Sequence, residues 1–159
     1  MLENVEIEQC ERTTVSAVLV VGLGHQVIDV TIEATGTGIA VENSYGVRLI
    51  RPNVTGKGEE EGIAIEDSEA TVIKGAIVDH VRDGIYIENG TGHELTRPLV
   101  TSSRYGVHLM FPTDVSIVSP NLHNVGARRS RWIEKPSRRE VVERDASTSP
   151  TGAGARDET

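Results

Sequence analysis

The sequence predicts an all-β fold, a right-handed parallel β-helix of about five coils with a period of about 22–24, followed by a disordered or short-helical C-terminal tail. Three observations carry this expectation. A short phrase recurs as GIAVENS (38–44), GIAIEDS (62–68) and GIYIENG (84–90). Its aliphatic residues alternate with small or polar ones, the period-two signature of a strand. The copies follow at a fixed interval, as expected of a solenoid whose turns each supply the same positions.

Taking the glycine of each copy as position zero gives Gly38, Gly62, Gly84 and Gly106, at successive intervals of 24, 22 and 22. Ile39, Ile63, Ile85 and Val107 then fall at +1, and Val41, Ile65, Ile87 and Leu109 at +3. Leu49, Ile73, Leu95 and Ile117 share +11, while Val54, Val78, Val100 and Leu122 share +16. These four columns are the predicted core. Pro52, Pro98 and Pro120 recur at +14, marking a shared bend that no continuous central strand would accept. Antiparallel hairpins would not return like residues to like positions at this period, whereas coils stacked at about 4.8 Å do.

Extending the phase backwards places Ser16 at zero, Leu19 at +3, Val27 at +11 and Ile32 at +16. One coil earlier, Val5 and Cys10 fall at +11 and +16, so Cys10 is expected to fill the core. The chain thus begins in mid-coil on this phase. The predicted β-helix domain covers residues 1–127, an incomplete solenoid, followed by an Arg-rich, low-complexity tail over 128–159. Within the tail SRREVVERDA has the composition of a short helix, and Trp132 with Ile133 is the one apolar pair able to cover an open end. Uncapped ends expose core and unpaired backbone, so end-to-end self-association or marginal stability is expected, eased by salt.

Charge narrows the function classes. The net charge is −8, and residues 1–127 alone carry −10. That excludes a general nucleic-acid partner or an anionic membrane surface. Thirteen Arg against three Lys in an acidic chain fit a salt-adapted source or ordinary surface charge equally. Cys10 is the only cysteine, which removes disulfide frameworks and Cys-rich zinc sites. No apolar run is long enough to insert in a membrane.

Two constellations could carry chemistry. On the strand after Gly106, His108 (+2) and Met110 (+4) project outward on one face with Cα atoms about 7 Å apart. An imidazole and a thioether suit a soft ion such as Cu(I); surface packing with Tyr86, Tyr105 and Phe111 would place them there too. The second is the +4 column of Glu42, Glu66 and Glu88. Three stacked carboxylates repel unless cations intervene, and calcium would suit them, as would a bare stripe in high salt. Beside them Asn43, Asp67 and Asn89 at +5 read as a structural turn ladder bonding coil to coil. His25 and His93 (+9), His80 (+18) and His123 (+17) form no triad, and Asp79, Asp83 and Asp114 fit no two-carboxylate motif. Arg48, Arg82 and Arg104 are placed like a lyase base but not distinguished from surface arginines. No catalytic residue is assigned.

RYGVHLMFPTD (104–114), with DGIYIEN (83–89) upstream, resembles the NosD family, and the likeness extends loosely over 16–126. The resemblance implies a right-handed β-helix scaffold or binding module, not an enzyme. It further implies a link to copper delivery or copper-centre maturation of nitrous oxide reductase, with an ABC transporter or the reductase client as partner. His108 and Met110 lie in its best-matched segment. Members of the family have more coils and are periplasmic, whereas MLENVEIEQCER is no secretory signal, so the chain as written is expected in the cytoplasm. A polysaccharide-binding or pectate-lyase-like polysaccharide-cleaving β-helix, organised by calcium, is the alternative; an inactive fragment is the third reading.

Overall fold

A computed structural model describes residues 1–11 and 13–126, together with the backbone of 128–133 and 142–144. Three parallel sheets wrap one core, and every sheet neighbour is the equivalent strand of the next coil. The first face stacks Val18–Leu23, Ile39–Tyr45, Glu61–Glu66, Asp83–Glu88, Tyr105–Met110 and Arg128–Ile133. The second runs from Leu2–Glu3 through Gln26–Ile28, Arg48–Ile50, Val72–Lys74, Thr91–Thr96 and Thr113–Val118 to Val142–Arg144. The third joins Glu6–Glu8, Thr31–Glu33, Asn53–Thr55, Ile77–Asp79, Leu99–Thr101 and Asn121–His123. This is a parallel β-solenoid of about six turns, one more than the period suggests.

The four aliphatic columns form its interior. Ile39 pairs with Ile63, Ile63 with Ile85 and Ile85 with Val107, all essentially fully buried. Leu49, Ile73, Leu95 and Ile117 meet in the same way on the second face, and Val54, Val78 and Val100 on the third. The recurring glycine follows from this packing. A Cβ on Gly62 would run into the Val78 side chain and the carbonyl of Gly84, and one on Gly84 into Val100 and the carbonyl of Gly106. The +16 valine and the position-zero glycine therefore require one another, because interiors packed at crystal density leave no room for a methyl.

Corners turn through left-handed residues in register. Asn43, Asp67 and Asn89 have φ of 46°, 46° and 57°, a region these short polar side chains tolerate. Arg51, Arg97 and Ser119 do the same immediately before Pro52, Pro98 and Pro120. The carbonyls of Pro52 and Pro98 accept from Ile77 and Asn121 of the next coil, so the bend costs the ladder only the proline's own donor.

The N-terminal phase needs correction. Val18, Leu19 and Val20 pair with Ile39, Ala40 and Val41, which puts Ala17, not Ser16, at position zero. Val20 is therefore the inward residue at +3 and Leu19 faces solvent at 57% exposure, the reverse of the expectation. One coil earlier, Leu2 and Ile7 stand over Val27 and Ile32, and Cys10 is exposed rather than a core filler. A one-residue change in turn length reverses every side chain on the following strand.

Backbone pairing continues past residue 127: Tyr105–Met110 pairs with Arg128–Ile133 and Ser116–Val118 with Val142–Arg144. Part of the segment read as a short helix is thus extended. The Trp132 and Ile133 side chains and the remainder of the tail lie outside the described residues. No helix among the described residues is long and apolar enough to cross a membrane.

Candidate functional site

The outward side of the first face carries three columns of side chains. Thr37, Glu61, Asp83 and Tyr105 stand just before the glycines; Ala40, Ala64, Tyr86 and His108 at +2; Glu42, Glu66, Glu88 and Met110 at +4. Small residues in the early coils give way to rings in the later ones. Over the later coils these columns bound an open groove of about 510 Å³, edged by Arg82 and Arg104.

His108 forms one wall of this groove. Its side chain is 12% exposed, wedged between the Tyr86 ring at 5.2 Å and the Tyr105 ring at 5.1 Å. Its Nδ1 lies 3.2 Å from Oδ1 of Asp83, a carboxylate only 4% exposed. The other oxygen of Asp83 accepts from Arg82 Nε at 2.9 Å, and Arg82 also forms an ion pair with Glu61. Glu61–Arg82–Asp83–His108 is one continuous polar chain across coils. Nε2 of His108 is buried and has no hydrogen-bond partner among the described residues.

Met110 stands one coil above Glu88. The Tyr86 hydroxyl lies 2.7 Å from Glu88 Oε2 and 3.1 Å from Met110 Sδ, linking the +2 column to the +4 column. Burial raises the Tyr86 pKa, and the adjacent Glu88 carboxylate reinforces the rise, so the phenol stays protonated and serves as donor.

Glu42, Glu66 and Glu88 are in register, Glu66 between the other two. Partial burial raises the pKa of Glu66, and the Glu42, Glu88 and Asp67 charges raise it further. At the adjoining corner Asn89 Nδ2 donates to Asp67 Oδ1 at 2.9 Å. The deeper corner hydrogen bonds belong to serines: the Ser44 amide donates to Ser68 Oγ, and Ser44 Oγ donates to the carbonyls of Glu42 and Val20.

Histidines elsewhere sit apart from this groove. His93 is 1% exposed inside the core, in the column of Val47, Thr71 and Val115, and burial pushes its pKa down to about 4. His80 bonds Asp79 at 2.7 Å on the third face. His25 and His123 are exposed. Asp114 is an exposed left-handed corner residue.

Sequence reasoning missed Asp83, one coil earlier, as the partner of His108. A signal existed: the position before the glycine is acidic in two successive coils, Glu61 and Asp83, beside the column that holds the imidazole. It also missed Tyr86 as the link between Glu88 and Met110.

Fold and groove together define a parallel β-solenoid with a polar, mixed-donor cleft on one face. The family described as periplasmic copper-binding protein (NosD) matches residues 3–132. The chain belongs to the NosD family. No match was found among curated proteins or among solved structures.

The groove offers a copper ion an imidazole nitrogen and a thioether sulfur, both soft enough for Cu(I). The buried, unpartnered Nε2 of His108 is the observation that fits such an ion. No group of three or more His, Cys, Asp or Glu among the described residues is arranged to hold a metal ion.

Proposed function

We propose that this chain is a non-enzymatic β-solenoid scaffold that carries copper in its groove, at His108 and Met110, for the maturation of the copper centre of nitrous oxide reductase. An ABC transporter or the reductase client is its partner on this reading. The observation that carries it is the state of His108: one ring nitrogen engaged by Asp83, the other bare, on the strand that presents the Met110 thioether. Bound there, a Cu(I) ion would be held by a nitrogen and a sulfur that bind it without redox chemistry.

Titration with Cu(I) against a competing chelator tests the proposal. His108→Ala and Met110→Ala should each weaken binding at least tenfold, with zinc showing no comparable loss at Met110. Wild-type affinity in both variants would refute it.

A second reading is a polysaccharide-binding surface organised by calcium along Glu42, Glu66 and Glu88. One observation favours it: burial, and after it the charges of Glu42, Glu88 and Asp67, raise the Glu66 pKa, and a divalent cation would relieve those charges. Calorimetric calcium binding that disappears in Glu66→Ala would support it, and no calcium heat at millimolar concentration would end it.

A further inference from the structure

We infer that Asp83 is a positioning residue that holds His108 as the Nδ1–H tautomer and so keeps Nε2 available as the metal-binding atom. The inference rests on the copper reading of the groove but makes a claim of its own about the resting protein.

Three observations carry it. Oδ1 of Asp83 is 3.2 Å from His108 Nδ1, and a carboxylate oxygen only accepts, so the ring proton belongs on Nδ1. Asp83 has no freedom to turn away. Its side chain is 4% exposed, its second oxygen is occupied by Arg82 Nε at 2.9 Å, and Arg82 is itself tied to Glu61. Finally, Nε2 lies buried among aromatic rings without a partner among the described residues. With the ring proton on Nδ1, where Asp83 accepts it, Nε2 carries a lone pair and no donor is left buried and unsatisfied. Carboxylate, imidazole and bare nitrogen stand in the order found where a protein orients a histidine toward a metal.

The arrangement spans coils. Asp83 opens the strand Asp83–Glu88, while His108 lies on the neighbouring Tyr105–Met110. The register pairs Asp83 with Tyr105 and Tyr86 with His108, so the Asp83–His108 contact runs diagonally, from the residue before one glycine to the +2 residue of the next coil. Arg82, the residue preceding Asp83, then closes the chain back to Glu61 on the coil before.

Nitrogen-15 NMR of the full chain, with the His108 ring assigned by its loss in His108→Gln, provides the first test. The expected spectrum is that of a ring that carries its proton on Nδ1 and none on Nε2. A ring protonated at Nε2 overturns the inference without any variant having to fold. The second test is Asp83→Asn, whose amide can donate to Nδ1 and so favour the opposite tautomer. The Nε2–H signature should appear, and Cu(I) affinity should fall about 10- to 100-fold. Circular dichroism of this variant should match the wild type. Loss of Cu(I) binding in His108→Ala but wild-type affinity in Asp83→Asn overturns the positioning role and leaves the copper reading standing. Failure of the wild type to bind Cu(I) at all overturns the copper reading, and with it any metal role for Asp83.

Discussion

Gly84 and Val100 face each other across the interior of a single coil so closely that a methyl group on Gly84 would meet the Val100 side chain and the carbonyl of Gly106. The same relationship holds between Gly62 and Val78. Gly84→Ala should therefore destabilise the solenoid by about 1–3 kcal/mol, the usual cost of overpacking a core. Val100→Ala in the same chain should recover part of that loss and not all of it, because the backbone contact remains. Thermal unfolding of the wild type and the two variants checks this; an unchanged melting temperature in Gly84→Ala would contradict the packing described.

His93 makes the fold sensitive to acid. Its folded pKa is lowered by burial to about 4 from 6.5, so the unfolded chain binds the proton first. The stability this neutral side chain allows is fully present above about pH 6.5 and is lost as pH falls toward 4. The loss amounts to about 3 kcal/mol at about 1.4 kcal/mol per unit. Val47 and Val115 occupy the same column, so His93→Val fits its shape. Urea unfolding at a series of pH values should show the variant losing less stability than the wild type between pH 6.5 and 4. Parallel curves would contradict this.

Glu66 behaves in the opposite sense. Its pKa is raised by burial and by Glu42, Glu88 and Asp67, so folding favours the protonated form. Its contribution is most favourable below the unfolded pKa and is lost as pH rises through the folded one. Glu66→Gln should raise the melting temperature at pH 7 by about 2 °C, since like charges directly across a ladder are destabilising. The gain should shrink in molar salt and vanish below pH 4. A destabilised variant at pH 7 would show that the column is compensated by cations.

The strand Val18–Leu23 is an edge of its sheet among the described residues and exposes Leu19, Val21 and Leu23 at 57%, 53% and 77%. An aliphatic edge of this kind invites pairing with another strand. Sedimentation should show concentration-dependent association of the chain, relieved in the double variant Leu19→Lys, Val21→Lys. A wild-type chain that sediments as a monomer at all concentrations would refute this.

Sequence periodicity alone determined the columns from Gly38 onward, because a stacked solenoid returns each residue to the same environment once per coil. Ile63, Ile85, Leu95 and Val100 could be assigned to the core by counting, and the glycine by its recurrence. It also placed His108, Met110 and the three glutamates on the outward face, since alternation fixes which way a strand residue points. Counting failed where a turn changed length: a shift of one position at Val18 reversed Leu19 and Val20, and the phase of the first half-coil left Cys10 outside. It failed too for His93, an imidazole in a column of aliphatics, whose burial depends on the close fit of its neighbours. Only the tertiary structure decided that Asp83 meets His108 and that Tyr86 meets both Glu88 and Met110. The contacts to His108 and Met110 run between coils and that to Glu88 between columns of one strand, where rotamers and ring stacking choose the partner, and a one-dimensional period carries no record of that choice.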